Sequence, residues 1–154
     1  MGQIEQRLRK LGILLPAPNA PVANYVPYVL SGGLLFISGQ VSNGPKGVVK
    51  GKLGGTLTLE EGVEAARLCA VNLIAQMNAA LEGDLDRVTR IVKLGGFVNC
   101  VPEFEDQPKV VNGASDLMVA VFGEAGRHAR AAVGAPSLPM GAAVEIDAVV
   151  EVAG

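Results

Sequence analysis

Near the end of the chain, apolar and polar residues alternate with the period of two that is typical of a half-buried strand. The apolar positions are Val144, Ile146, Ala148, Val150 and Val152, and they alternate with Glu145, Asp147 and Glu151. This alternation predicts a strand over 143–152 with one apolar and one polar face. Residues 129–135 predict another strand, which a turn over 136–141 joins to it.

Helical periodicity dominates the middle of the chain. Thr58 and Glu61 have the spacing of a capping box, and apolar residues then recur every three or four positions at Val63, Ala66, Ala70, Ile74, Met77 and Leu81. This pattern predicts a helix that ends before Gly83. A second helix is predicted over 108–123, with Pro108 in its first turn and Gly123 at its end. A short helix over 4–11, closed near Gly12, belongs to an N-terminal extension over 1–15.

Two more regions have strand character. Runs over 25–30 and 34–38 flank Ser31, Gly32 and Gly33 and predict a hairpin. Residues 87–99 predict a longer strand with a bulge at Gly95 and Gly96. Residues 41–55 have no sustained period and read as a surface loop. The order ββαβαββ predicts an α+β fold, a mixed sheet with two helices on one face, because right-handed crossovers place both helices on the same side.

The other face of such a sheet carries apolar residues that a monomer does not leave in water, so we expect copies of the chain to form a closed homo-oligomer. The 154 residues are enough for one domain, 1–154, and 49% hydrophobic against 18% charged residues argues against disorder. A net charge of −2 disfavours binding to nucleic acid. With no apolar run long enough for a membrane span or a signal peptide, the chain is expected to be cytoplasmic.

Several catalytic motifs can be tested and set aside. The loop around Lys52 precedes a helix, but Leu53 follows the lysine where a Walker loop has Ser or Thr, so a lysine in water is expected there. Cys69 and Cys100 read as buried filler, and with two cysteines and one histidine we expect no metal site. His128 reads as a surface or partly packed histidine at a strand start, and no hydrolase triad is predicted.

Arg130 and Glu145 are the most informative charged pair. Each interrupts an apolar strand, and a tight turn between their strands would make the two residues neighbours. A guanidinium in an apolar strand needs an anion, so the pair is either a structural ion pair or a site. In a site, the arginine would grip a substrate carboxylate while the glutamate orients water or accepts a proton.

The same residues carry a family resemblance. The segments ARAAV at 129–133, LP at 138–139 and VEIDA at 144–148 resemble the C-terminal signature of the reactive-intermediate imine deaminase (RidA/YjgF) family. LFISGQ at 35–40 resembles that family's hairpin strand, and VN at 111–112 resembles a pair on its second helix. Together these pieces span about residues 25–152.

The resemblance implies a chorismate-mutase-like fold, a homotrimer with ligand clefts between subunits, and no cofactor. It also implies a deaminase of the 2-iminobutanoate/2-iminopropanoate type, which hydrolyses 2-aminoacrylate-type enamines and 2-imino acids to 2-oxo acids and ammonia. By position, Arg130 would bind the substrate carboxylate and Glu145 would hold the attacking water. Tyr25, Gly39 and Asn112 would line the cleft.

The chain departs from the family pattern at the cleft. Ala132 stands where the family has Cys and His128 where it has Pro, and either Tyr25 or Tyr28 corresponds to the cleft tyrosine. Two alternatives therefore stay open: a non-catalytic regulatory trimer that binds small carboxylates, and a ribonuclease or translation inhibitor.

Overall fold

The computed structural model describes residues 2–20 and 23–154, so Met1 of the predicted extension, Pro21 and Val22 lie outside it. The helices are α1 (Gln3–Lys10), α2 (Leu59–Ala80) and α3 (Gln107–Phe122). The strands are β1 (Tyr28–Ser31), β2 (Leu34–Val41), β3 (Asn43–Gly44), β4 (Gly47–Val48), β5 (Val88–Asn99), β6 (Ala129–Ala135) and β7 (Val144–Val152). Apart from the small β3–β4 hairpin, this is the predicted ββαβαββ order.

The five main strands form one mixed sheet in the order β1-β2-β7-β5-β6. β5 and β6 are parallel, and the other pairs are antiparallel. β6 is therefore the outer strand, and β5 lies between it and β7. The expectation that the short turn makes the strands of Arg130 and Glu145 neighbours is wrong, because the connection from β6 to β7 crosses the end of β5.

Both long helices cover the same face of the sheet, which confirms the α+β fold class. α2 packs on β2 and β7, α3 packs on β5 and β6, and the two helices pack on each other. The alternation predicted for β7 is exact, with Val144, Ile146, Ala148, Val150 and Val152 buried. The opposite face, here called the open face, exposes Phe36 by 43%, Phe97 by 37% and Val133 by 48%.

The predicted bulge at Gly95 and Gly96 is wrong. Both residues pair regularly with β7, and the register shifts fall nearer the start of β5, between Val88 and Arg90 and between Ile91 and Lys93. The two glycines instead leave room for side chains on the two faces of the sheet. A Cβ on Gly95 would meet the carboxylate of Asp147, and one on Gly96 would lie 2.7 Å from a methyl carbon of Val111.

The segment over 41–55 is more ordered than a surface loop. Leu53 is fully buried and bridges to Cys100 at the end of β5. The Lys52 ammonium donates to Asn99 Oδ1 at 2.8 Å and also to the Pro136 carbonyl. The expectation of a lysine in water is wrong, since this side chain ties the 41–55 segment to the β6–β7 connection.

The N-terminal segment forms the predicted short helix. Asp86 accepts hydrogen bonds from the backbone N–H groups of Gln3 and Ile4 at its start, and Arg7 donates to the Val121 carbonyl on α3 at 2.9 Å. The two backbone bonds hold the pKa of the Asp86 carboxyl below its usual value. Within the described ranges, no helix combines the length and apolar character that crossing a membrane requires.

Candidate functional site

A cleft of about 350 Å³ opens beside Glu145, where β2 and β7 meet the segment before β1. Its walls come from four parts of the chain: Asn19, Ala20, Tyr25, Pro27, Ser38, Gly39, Gln40, Val41, Asn43, Pro139, Met140 and Glu145. The structure thus brings Tyr25, Gly39 and Glu145 together. Tyr28 instead lies in β1 and borders a second cavity, of about 520 Å³, on the open face.

Gly39 makes room for the Glu145 carboxylate. The register between β2 and β7 shifts between Ile37 and Gln40, and this irregularity turns Gly39 toward Glu145. A Cβ on Gly39 would lie 2.9 Å from Cδ of Glu145 and closer still to Oε2. Because no side chain fits between the two residues, the glycine determines where the carboxylate can sit.

The surroundings of Glu145 suit a base. The carboxyl is half-buried, and burial raises its pKa, with a further contribution from the nearby charge of Asp147. Burial likewise raises the pKa of Asp147. Within the described part of the chain, no residue donates a hydrogen bond to the Glu145 carboxylate, so its lone pairs remain available to water in the cleft.

Arg130 lies on β6 and points toward α3. Its Nη1 donates to Asn112 Oδ1 at 2.8 Å and to Ser115 Oγ at 3.1 Å. Asn112 and Ser115 are three residues apart on α3 and so share one face of that helix. No other group in residues 2–20 and 23–154 accepts a hydrogen bond from Arg130, so the guanidinium edge formed by Nε and Nη2 remains available to a carboxylate.

Arg130 and Glu145 are not neighbours in the folded chain. Arg130 pairs with Leu94, Glu145 pairs with Phe97, and β5 separates them. Two strand spacings and three residues of register put their Cα atoms roughly 14 Å apart. Their side chains leave opposite faces of the sheet, since Arg130 meets α3 and Glu145 belongs to the polar set of β7. The alternative of a structural ion pair between them is therefore excluded within one chain.

Behind Gln40, which lines the Glu145 cleft, lies a buried amide partner, Gln76. Gln76 is fully buried in α2, and its Nε2 donates to the Asn19 carbonyl at 2.9 Å and lies 3.5 Å from Gln40 Oε1. Gln76 Oε1 is buried with no partner among the described residues. Both glutamines occupy core positions of their elements, and a polar residue at an apolar position was the only available signal.

Three other predictions concern residues outside the cleft. Cys69 and Cys100 are buried and unpaired, as expected, and burial raises the pKa of the Cys69 thiol well above its usual value. His128 is partly packed, as expected, but it also contacts Ser115, a residue that the sequence analysis did not single out. The residues that the structure describes include no cluster of His, Cys, Asp and Glu suited to a metal ion.

Comparison with known proteins places these features in context. Residues 5–152 match the family described as "YjgF/chorismate_mutase-like, putative endoribonuclease". Protein TCP17 of Trypanosoma cruzi is 57% identical over 152 residues, which cover 97% of this chain and 94% of that protein. The crystal structure of Atu1372 from Agrobacterium tumefaciens, a protein of unknown function, is 52% identical with a TM-score of 0.91, covering 97% of this chain and 92% of that one. A Shewanella oneidensis protein, described in the same endoribonuclease terms, is 37% identical with a TM-score of 0.94, covering 98% and 100%.

Proposed function

Because this chain belongs to the RidA/YjgF family, we propose that it is a cofactor-independent deaminase that hydrolyses 2-imino acids and 2-aminoacrylate-type enamines to 2-oxo acids and ammonia. The observation that carries the proposal is the pair of half-sites. One is a guanidinium with a free edge at Arg130, and the other is an unbonded basic carboxylate at Glu145. A 2-imino acid needs both, one for its carboxylate and one for the water that attacks it.

The two half-sites act on one substrate only if they come from different copies of the chain. In a 2-imino acid the carboxylate adjoins the imine carbon, so a separation of roughly 14 Å on opposite sheet faces is too large for one subunit. We propose a homotrimer in which Arg130 and Asn112 of one subunit face Glu145, Tyr25 and Gly39 of the next. Two features support this arrangement: the apolar open face and the unpaired outer edge of β6.

The chemistry follows from these positions. Arg130 binds the substrate carboxylate and holds the imine carbon near Glu145. The Glu145 carboxylate takes a proton from water as the water oxygen forms a bond to the carbon of the protonated imine, which gives a neutral carbinolamine. Glu145 returns this proton to nitrogen and takes the proton of the new hydroxyl group as the carbon–nitrogen bond breaks. Ammonia and the 2-oxo acid leave, and Glu145 releases the remaining proton to solvent. The raised pKa makes Glu145 a better proton acceptor than an exposed glutamate.

The activity is tested by generating 2-imino acids with an amino-acid oxidase and trapping the unhydrolysed imine with semicarbazide. Wild-type protein should lower the trapped amount, whereas Arg130→Ala and Glu145→Gln should not. Arg9→Ala is the matched control, because it removes one exposed positive charge on α1, where the side chain pairs with Glu5 and belongs to neither half-site. If wild type and Arg130→Ala leave equal amounts of trapped imine, the proposed activity is wrong. Binding of a 2-oxo acid without turnover would favour the regulatory alternative, and RNA cleavage lost in Arg130→Ala would favour the ribonuclease alternative.

The shared site is tested by mixing inactive subunits. In a ring where each site takes Arg130 from one subunit and Glu145 from the next, random assembly of Arg130→Ala with Glu145→Gln restores about one quarter of the sites. Arg130→Ala mixed with the Arg130→Ala/Glu145→Gln double variant is the control, since no subunit there supplies the arginine. Activity in the first mixture and none in the second is expected. Equal inactivity of both mixtures would contradict a shared site.

A further inference from the structure

A chain of hydrogen bonds continues behind Arg130 into the protein. Arg130 Nη1 lies 3.1 Å from Ser115 Oγ, Ser115 Oγ lies 2.8 Å from His128 Nε2, and His128 Nδ1 lies 2.6 Å from the Gly126 carbonyl oxygen. Ser115, His128 and Arg130 are all half-buried. Neither Ser115 nor His128 reaches the Glu145 cleft, so these two residues need an explanation other than contact with that cleft.

The two ends of this series of hydrogen bonds, Arg130 and the Gly126 carbonyl, determine which atom carries each proton. A guanidinium only donates and a backbone carbonyl only accepts, so Ser115 Oγ accepts from Arg130 and His128 Nδ1 carries the proton that is donated to Gly126. In the neutral imidazole, Nε2 then has no proton and accepts the hydrogen of the Ser115 hydroxyl group. Of the two neutral tautomers, only the one protonated on Nδ1 satisfies every bond.

The far end of the chain is held rigidly. Gly126 is buried at the end of the 3-10 turn Gly123–Gly126, and a Cβ there would lie 2.6 Å from the carbonyl carbon of Met118 on α3. The turn is thus packed directly on the helix that carries Asn112 and Ser115. His128 is two residues before Arg130, so both side chains leave the same side of the strand and meet α3.

We propose that Ser115 and His128 are positioning residues that hold Arg130 in its ligand-binding orientation. With Nη1 fixed by Asn112 and Ser115, the Nε–Nη2 edge is turned outward before any ligand arrives, and less side-chain freedom is lost on binding. The role in substrate binding rests on the proposed function, whereas the proton order and the restraint of Arg130 do not. Losing the restraint should raise KM about three- to tenfold with little change in kcat.

The proton order is tested on the wild-type protein without ligand. The sequence has one histidine, so after removal of any tag the ¹⁵N spectrum of the imidazole reports His128 alone. The proposal requires that the neutral imidazole carry its proton on Nδ1 and none on Nε2. The opposite tautomer would overturn it, whether or not the protein hydrolyses imines.

The restraint is tested with variants at the two relay positions. His128→Gln places an amide oxygen near Nε2 and should keep the Ser115 bond, whereas His128→Leu and Ser115→Ala should break the chain. In ¹⁵N spectra of the guanidinium, assigned with Arg130→Lys, exchange between Nη1 and Nη2 should be slow in wild type and His128→Gln and faster in His128→Leu and Ser115→Ala. Ser137→Ala, in the exposed β6–β7 turn, is the matched control.

The same variants should separate in the imine assay, with KM raised in His128→Leu and Ser115→Ala and restored in His128→Gln. Unchanged guanidinium exchange in both disruptive variants would overturn the proposal even if they are less active. If wild type turns over no imine while exchange behaves as expected, the proposed function fails and the restraint of Arg130 stands.

Discussion

Replacing Gly39 with alanine is the sharpest test of the Glu145 half-site, because it displaces the carboxylate without removing it. The φ angle of Gly39 is not in the left-handed region, so alanine can adopt the same backbone. The new Cβ would lie 2.9 Å from Cδ of Glu145, and closer to Oε2, where ordinary contacts are 3.4–4 Å. The carboxylate must therefore move by about 1 Å, which costs only an off-rotamer side chain in stability.

The expected effect on catalysis is much larger than the effect on folding. A misplacement of about 1 Å at a reacting group reduces rates about 100-fold, whereas an off-rotamer side chain costs about 0.5–1.5 kcal/mol. We expect kcat/KM of Gly39→Ala to fall about 100-fold in the imine assay. The free energy of unfolding from urea titration should change by about 1 kcal/mol.

One control makes this result decisive. Gly55→Ala adds the same methyl group at a site where the nearest atoms are 3.4 to 3.6 Å away, so it should leave activity unchanged. Wild-type kcat/KM in Gly39→Ala, or an equal loss in Gly55→Ala, would refute the reasoning.

Three further predictions follow from the fold. Glu145→Gln should raise the melting temperature at pH 7, because burial raises the pKa of the Glu145 carboxyl and the folded state therefore disfavours its charge. This gain in melting temperature should shrink as the pH falls through the raised pKa toward the unfolded value of about 4.3. Calorimetry at several pH values would show this dependence. Phe36→Glu puts a charge on the open face and should convert the proposed homo-oligomer to monomers in light scattering, whereas an unchanged mass would exclude that face as the interface. Thr58→Ala removes the hydrogen bond to the Glu61 N–H and should lower the free energy of unfolding by about 1 kcal/mol in urea, and a change near zero would show that the capping box contributes nothing.

The elements with a strong local period were predictable. The Thr58–Glu61 capping box and the apolar repeat that follows it identify α2, which begins at Leu59. The strict alternation identifies β7 and both of its faces. These signals are local, since a helix or a half-buried strand needs one apolar face whatever it packs against. The class of fold followed from their order, because crossovers have one hand.

Strand pairing was not predictable from the same patterns. A short turn between two strands usually makes a hairpin, yet β6 pairs with β5 and the β6–β7 connection crosses the end of β5. Part of what holds this crossing is Lys52, which donates hydrogen bonds to Asn99, 47 residues away in sequence, and to the Pro136 carbonyl, 84 residues away. Because no local pattern encodes such a contact, both the role of Lys52 and the distance between Arg130 and Glu145 were missed.

One candidate site residue was visible in the sequence because it broke an apolar pattern. Arg130 interrupts a strand that is otherwise apolar, which is the physical anomaly that a site produces. Glu145 stands at a regular polar position of β7, as Asp147 does, so the alternation alone does not distinguish it. Ser115 lies in a helix where polar residues are common, so nothing marked it, and the only signal for Gln76 was a polar residue at a core position of α2. Their roles depend on which element packs against each helix, and that is a tertiary property.

The two half-sites differ in how firmly the fold holds them, and the difference agrees with the tasks proposed for them. Arg130 has one nitrogen fixed by two α3 side chains, which suits a group that must present a constant geometry to a carboxylate. Glu145 receives no hydrogen bond from the described residues and is confined by Gly39 and by burial, so its oxygens keep the lone pairs that accepting and returning a proton require. Exchanging these properties would impair both groups, because a mobile guanidinium binds more weakly and a hydrogen-bonded carboxylate is a weaker base.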